Sequence, residues 1–284
     1  MIATTLVLAG AGGLSLAATR YGREGGAPVL LLHGGGQTRG AWRGAAEALA
    51  ARGHDVLALD LRGHGDSHWS AEGHYTLEAF ADDLREVAAT LDRPPVLIGA
   101  SLGGLASLLA VGEPPHVATA GIVLVDIVPW MEPRGGEQVV NFMRGTSGGF
   151  DSLEDAADAV SGYLPHRPRP ERLDGLSRNL RCRDDGRWYW HWDPNFVAPQ
   201  KGWDMDEINA RLTSAALAIS APMLLVRGSR SEIVSDEGVA RFRTLLPNAT
   251  VSEVVGARHM VAGDDNDAFV GAILPFLEQL RAAA

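Results

Sequence analysis

Short, continuous apolar runs alternate along this chain with segments whose apolar residues recur at helical spacing. The runs fall at 29–32, 56–61, 96–100, 122–128, 223–226 and 250–255. Between them, 40–52 carries Trp42, Ala46, Leu49 and Ala50 on one helical face, and 77–91, 102–111, 237–245 and 267–281 also read as helices. Buried strands alternating with helices predict stacked βαβ units and a mostly parallel sheet. The apolar start at 1–18 lacks a basic leading region and is interrupted by Gly10, Gly12 and Gly13. It therefore reads as a hairpin, with strands at 4–9 and 14–21 about a glycine turn, rather than as a signal peptide. From 129 to 217 the rhythm breaks: helical stretches at 153–163 and 205–218 lie between proline- and arginine-rich loops, with no convincing strand. The expected architecture is α/β, a mostly parallel sheet with an N-terminal antiparallel hairpin, helices on both faces, and a helical cap inserted after the sixth strand. Residues 1–128 and 218–284 would form the core and 129–217 the cap.

Composition narrows the chemistry. Hydrophobic residues make up 46% of the 284 positions and charged residues 21%, which is ordinary globular usage and excludes wholesale disorder. Twenty-five basic against 35 acidic residues leave a net charge of −10, which disfavours nucleic acid or an anionic membrane as partner. Lys201 is the sole lysine and neither GxxxxGK[ST] nor GxGxxG occurs, so no nucleotide cofactor is expected. No stretch approaches an uninterrupted membrane span. Cys182 is the sole cysteine, which excludes an intramolecular disulfide or a thiolate metal cluster and points to a reducing, cytoplasmic location. His64 and His68 are four apart but straddle Gly65 in a turn signal, without further ligands at metal-site spacing, so no metal is expected. The arginine-rich stretch 166–187 is interleaved with Glu171, Asp174, Asp184 and Asp185 and reads as a solvated, salt-bridged surface.

Three short segments carry candidate chemistry. Gly99-Ala100-Ser101-Leu102-Gly103 fits G-x-S-x-G between an apolar strand and a helix. Such a turn exposes the Ser101 hydroxyl at a helix N-terminus, where free N–H groups favour developing negative charge, and its glycines avoid collisions with neighbouring backbone. A serine nucleophile needs a base, and the base needs an orienting acid. His259 follows the last strand in Gly256-Ala257-Arg258-His259, and Glu232 follows the preceding one in Gly228-Ser229-Arg230-Ser231-Glu232. Each residue sits at the carboxyl end of a strand, and in a parallel sheet those ends share one edge.

With these segments, His33-Gly34 after the first core strand and Asp60-Leu61-Arg62-Gly63-His64-Gly65-Asp66-Ser67 after the next, the chain resembles an α/β-hydrolase over nearly its whole length. The most similar branch groups capped serine esterases, cofactor-free haloperoxidases, carbon–carbon bond hydrolases and epoxide-hydrolase relatives. The resemblance implies that Gly35 and Leu102 donate backbone N–H groups to an oxyanion, a role suited to a run of three glycines. Epoxide hydrolases and haloalkane dehalogenases of this branch use an aspartate nucleophile, so Ser101 argues against both. The acid position more often holds aspartate than glutamate. Glu232 is taken here as the acid, with Asp126, at the end of the sixth strand, as the alternative. His64 and Asp66 would hold the loop beneath the site.

The expected function is a serine hydrolase cleaving a small to medium carboxylic ester or lactone through an acyl-enzyme, with Ser101, His259 and Glu232 as triad and no cofactor. The same triad also suits a carbon–carbon hydrolase acting on a diketone, a perhydrolase, or a slow-turnover ligand receptor on the same fold. In the insertion, Trp188, Tyr189, Trp190, His191, Trp192, Phe196 and Trp203 form an aromatic concentration, with Trp130 at its entrance. They would serve as a small cap core or as an apolar lid, and Trp130 and Trp192 are the candidate substrate-binding residues. The partner would be a small apolar carbonyl compound, and the protein a monomer or homodimer.

Overall fold

A computed structural model describes residues 3–130, 133–165, 169, 172–198, 205–259, 261 and 266–283. Lys201 and Trp203 lie outside the described residues. One sheet of eight strands organises the chain: β1 (Thr4–Ala9), β2 (Ser15–Tyr21), β3 (Ala27–Leu32), β4 (His54–Leu59), β5 (Val96–Ala100), β6 (Gly121–Val125), β9 (Met223–Gly228) and β10 (Thr250–Val254). Their spatial order is β1-β2-β4-β3-β5-β6-β9-β10. The β1–β2 hairpin is antiparallel, with Thr4 opposite Arg20 and Ala9 opposite Ser15, and β2 runs antiparallel to β4. All remaining neighbours are parallel. The hairpin turns where Gly12 and Gly13 take φ of 70° and 79°, a region open to glycine at little cost.

The central strands are apolar throughout because both faces are covered, yet their side chains still alternate. Leu30, Leu32, Leu57, Leu59 and Leu97 point to one face, against Phe80 and Leu84 of α2 (Leu77–Ala89), Leu105 and Leu109 of α3 (Leu102–Gly112), and Phe242. Val29, Leu31, Val56, Ala58 and Ile98 point to the other, against Leu49 of α1 (Arg43–Ala50), Trp42 just before it, and Phe269, Ile273 and Phe276. Thr76 caps α2 by accepting from the Ala79 amide, a bond worth about 1 kcal/mol.

Between β6 and β9 lie α4 (Pro133–Gly145), α5 (Leu153–Tyr163), α6 (Asp174–Ser177) and α7 (Met205–Ala218). The expectation of a strand-free insertion is corrected by a two-stranded antiparallel sheet, β7 (Leu180–Cys182) with β8 (Trp188–Trp190). Three residues per strand are too few for a period-2 signal. The C-terminal part of the expected cap also behaves differently, because α7 packs on α3. Leu212, Ala215 and Ala216 are buried in the sheet-covering core, and a Cβ on Gly112 would lie 2.3 Å from the Ala215 carbonyl oxygen. After β9 come α8 (Asp236–Leu245), whose Phe242 joins the α2–α3 face, and α9 (Asn266–Ala283), whose Phe269 and Phe276 cover the opposite one.

Candidate active site

Ser101 occupies the turn between β5 and α3 with φ 45° and ψ −113°. A non-glycine residue in this region stores about 1–3 kcal/mol of strain, held by its surroundings. Both neighbouring glycines are required. A Cβ on Gly99 would lie 2.5 Å from the Gly103 carbonyl group, and one on Gly103 would lie 2.4 Å from the Leu32 oxygen. The start of α3 therefore presses on the ends of β5 and β3 at once. That contact brings the loop after β3 to Ser101: a Cβ on Gly34 would lie 3.3 Å from Ser101 Cβ.

The His33–Gly36 loop is held peptide by peptide. The Gly34 carbonyl oxygen sits 2.8 Å from His33 Nδ1 and accepts from the Gln37 amide at 3.1 Å, while the Gly34 amide donates to Gln37 Oε1 at 2.9 Å. Because the peptide is planar and trans, anchoring the Gly34 carbonyl aims the Gly35 N–H the opposite way. Among the described residues, no acceptor meets the Gly35 amide or that of Leu102, the first residue of α3. Neither N–H is therefore spent on another group among the described residues.

Three buried histidines brace this loop. The Leu61 amide donates to His33 Nε2 at 3.0 Å, and the Gly36 amide donates to His64 Nε2 at 3.1 Å. Each ring therefore carries its proton on Nδ1, which donates to Gly34 in His33 and to the Arg62 carbonyl at 2.9 Å in His64. His191 takes the other tautomer: Nδ1 accepts from the Gly65 amide at 2.8 Å and Nε2–H donates to the Gly36 carbonyl at 3.2 Å. Burial is the main force lowering the pKa of all three, to about 3. His64 thus holds the loop as expected. Asp66 instead pairs with Arg39 and Arg181.

His259 and its carboxylate partner lie further along the same edge. His259 Nδ1 sits 2.8 Å from Asp126 Oδ2, and the Asp126 side chain is fully buried at 0% exposure. Two further donors converge on that carboxylate: the Gly228 amide on Oδ1 at 3.1 Å and the Ser231 hydroxyl on Oδ2 at 2.6 Å. Asp126 itself has φ 50°, and its amide donates to the Val226 carbonyl, locking the backbone beyond β6 onto β9.

The expectation that Glu232 orients His259 is corrected here. Its side chain is 41% exposed and pairs with Arg258. The cause is the turn before it. Ser231 Oγ accepts from the Ile233 and Val234 amides while donating to Asp126, so the loop turns residue 231, not 232, inward. Ser231 was missed by sequence reasoning, although it lies in the quoted loop, one position before the residue chosen.

The candidate substrate-binding tryptophans are also corrected, because both are packed. Trp130 is 5% exposed in the sheet-covering core with the Arg241 guanidinium 4.1 Å over its ring, and Trp192 is 2% exposed against Met143 and Val197. Met143 and Phe196 approach the His33–Gly36 loop instead. A Cβ on Gly36 would lie 3.1 Å from Met143 Cε, and one on Gly35 would lie 3.3 Å from the Phe196 ring. Among the described residues no cluster of histidine, cysteine, aspartate and glutamate has the geometry of a metal site, and no helix is long and apolar enough to cross a membrane.

Residues 27–265 match the family described as alpha/beta hydrolase fold. The chain is 32% identical over 237 residues to esterase Rv0045c of Mycobacterium tuberculosis, covering 80% of this chain and 74% of the relative. A crystal structure of that esterase superposes with a TM-score of 0.76 at 28% identity, covering 98% of this chain and 93% of the other. E-2-(acetamidomethylene)succinate hydrolase superposes with a TM-score of 0.81 at 24% identity over 98% of this chain and 100% of that one, a likeness of fold.

Proposed function

From a chain that belongs to the α/β-hydrolase fold family, we propose a serine hydrolase that cleaves a small to medium carboxylic ester or lactone through an acyl-enzyme. The observation that carries the reading is the hydrogen bond from His259 Nδ1 to Asp126, on the same sheet edge as the strained Ser101 turn. With its Nδ1–H given to Asp126, the imidazole offers Nε2 as a base. Ser101 Oγ attacks the carbonyl carbon as its proton passes to His259. The Gly35 and Leu102 N–H groups receive the oxyanion, each such donor being worth ~10²–10³ in rate.

Collapse of the tetrahedral species breaks the bond to the leaving oxygen, which takes the proton from His259. Water, deprotonated by the same imidazole, then attacks the acyl carbon; collapse of this second tetrahedral species breaks the bond to Ser101 Oγ, which takes its proton back from His259 as the acid departs. Every proton and bond is accounted for without a cofactor. Asp126 is the acid of this scheme, fed by three donors so that its orientation is set before substrate arrives. The 32% identity to an esterase supports an ester as substrate class. Met143 and Phe196, packed over the glycine loop, favour an apolar acyl group.

A cytoplasmic protein, monomeric or homodimeric, fits the same reading, as does an insertion acting as a cap. The test is a screen across p-nitrophenyl esters of increasing chain length and across lactones, with Ser101→Ala as blank. Turnover by wild type alone is expected. Equal turnover by the blank, or none by wild type, would refute the reading.

A further inference from the structure

Among the described residues, the insertion hydrogen-bonds the His33–Gly36 loop through one side chain, that of His191. His191 follows β8, outside the sheet, yet it is almost wholly buried and grips two loops of the core. Its Nδ1 takes the Gly65 amide from the loop after β4, and its Nε2–H gives to the Gly36 carbonyl. Gly36 stands in the left-handed region at φ 77°. Its amide is held from the other side by His64, whose ring lies 6.0 Å from that of His191. The two peptide units on either side of Gly36 are therefore fixed by two different histidines, one from the core and one from the insertion. Directly before them lies the peptide whose N–H belongs to Gly35.

A second anchor of the same segment, Asp193, accepts from the Tyr75 hydroxyl at 2.6 Å and donates its amide to the Gly63 carbonyl. That anchor touches neither Gly35 nor Gly36. Of these two anchors, His191 is the one that hydrogen-bonds the loop presenting the proposed oxyanion donor.

We propose that His191 is a positioning residue for the oxyanion hole, so that the insertion, by docking, sets the geometry in which Gly35 meets the developing charge. This rests on the reading of Ser101 as nucleophile and Gly35 as donor. The physical requirement is strict: a donor serves only where the oxyanion will be, and displacements near 1 Å are costly. The His191 tautomer suits the task, since it supplies one acceptor and one donor at a fixed separation from a ring held by packing.

The test compares variants that remove different bonds. In His191→Asn the side-chain oxygen reaches the position of Nδ1 and keeps the Gly65 bond, but nothing reaches Gly36. In His191→Gln the longer amide reaches the Nε2 position and restores a donor to Gly36. Tyr75→Phe removes the hydroxyl that donates to Asp193 and accepts from the Ser70 amide, weakening the other anchor without removing a hydrogen bond of the loop. The readout is the second-order rate of Ser101 modification by a fluorophosphonate, whose phosphoryl oxygen occupies the oxyanion hole, measured per folded protein by circular dichroism. It is read beside kcat and KM on an ester.

The Asn variant is expected to react about tenfold more slowly or worse, with the loss in kcat rather than KM. The Gln variant should stay within about threefold of wild type, and Tyr75→Phe should react as wild type does despite a lower melting temperature. An Asn variant as fast as wild type, a Gln variant as slow as Asn, or an equal loss in Tyr75→Phe would overturn the proposal. A wild-type protein that labels at Ser101 but hydrolyses no ester would refute the substrate reading while leaving the labelling comparison decisive here. A wild-type protein inert to the probe would overturn both.

Discussion

Replacing Asp126 by asparagine should cripple turnover while leaving Ser101 in place. Three donors point at the native carboxylate: the Gly228 amide on Oδ1, and the Ser231 hydroxyl and His259 Nδ1 together on Oδ2. An asparagine that keeps its oxygen on the Gly228 amide puts its NH₂ in the place of Oδ2. Facing His259, that NH₂ donates to Nδ1 and drives the ring proton onto Nε2, the atom that must receive the proton of Ser101. A base in the wrong tautomer costs ~10⁴ in kcat, about 5–6 kcal/mol of transition-state stabilisation. Glu232→Gln removes only an exposed partner of Arg258, and such pairs are worth about 0–1 kcal/mol. Its kcat should stay within about twofold of wild type. The assay is steady-state kinetics of both variants on the best ester from the screen, normalised to folded protein. A large loss in Glu232→Gln with a mild one in Asp126→Asn would refute the assignment.

Two further outcomes follow from the buried side chains. His33, His64 and His191 are held near a pKa of about 3, against 6.5 for the free residue, so the unfolded chain binds more protons than the folded one between those values. Their contribution to stability is complete above about pH 6.5 and is lost as pH falls toward 3, costing about 2 kcal/mol per histidine by pH 5. Urea unfolding should show a markedly lower midpoint at pH 5 than at pH 7.5, and coincident curves would contradict the neutral network. Trp192→Ala should lower stability by about 3–5 kcal/mol with little change in the ranking of esters by kcat/KM, because Trp192 is enclosed by Met143 and Val197. A shifted ranking without loss of melting temperature would return it to the pocket wall.

The sheet was legible because its central strands are apolar on both faces and end in glycine: Leu32 runs into His33-Gly34, and Ala100 into Ser101 between Gly99 and Gly103. Those glycines sit where added Cβ atoms would strike backbone, so the fold and the Ser101 turn share one signal. The place of His259 at this sheet edge was legible from chain order. Its carboxylate partner was not, because two carboxylates stand at neighbouring strand ends and the choice rests on a single turn, in which Ser231 spends its hydroxyl on two amides and Asp126. Nor could spacing reveal that His191, 126 residues beyond Gly65, would bond it. A histidine among tryptophans reads as one more aromatic until its partners are known. The strands β7 and β8, at three residues each, carry too little pattern to separate from loop.

The central claim is that Ser101 is the nucleophile of a hydrolase whose base is His259. A fluorophosphonate, followed by peptide mass analysis, tests it most directly. Wild type should be modified once, at Ser101, with ester turnover lost in step with labelling. Ser101→Ala should remain folded, take no label and lose ~10⁶ in kcat. Label on any other residue, or an alanine variant that still turns over ester with host enzymes excluded, would contradict the account.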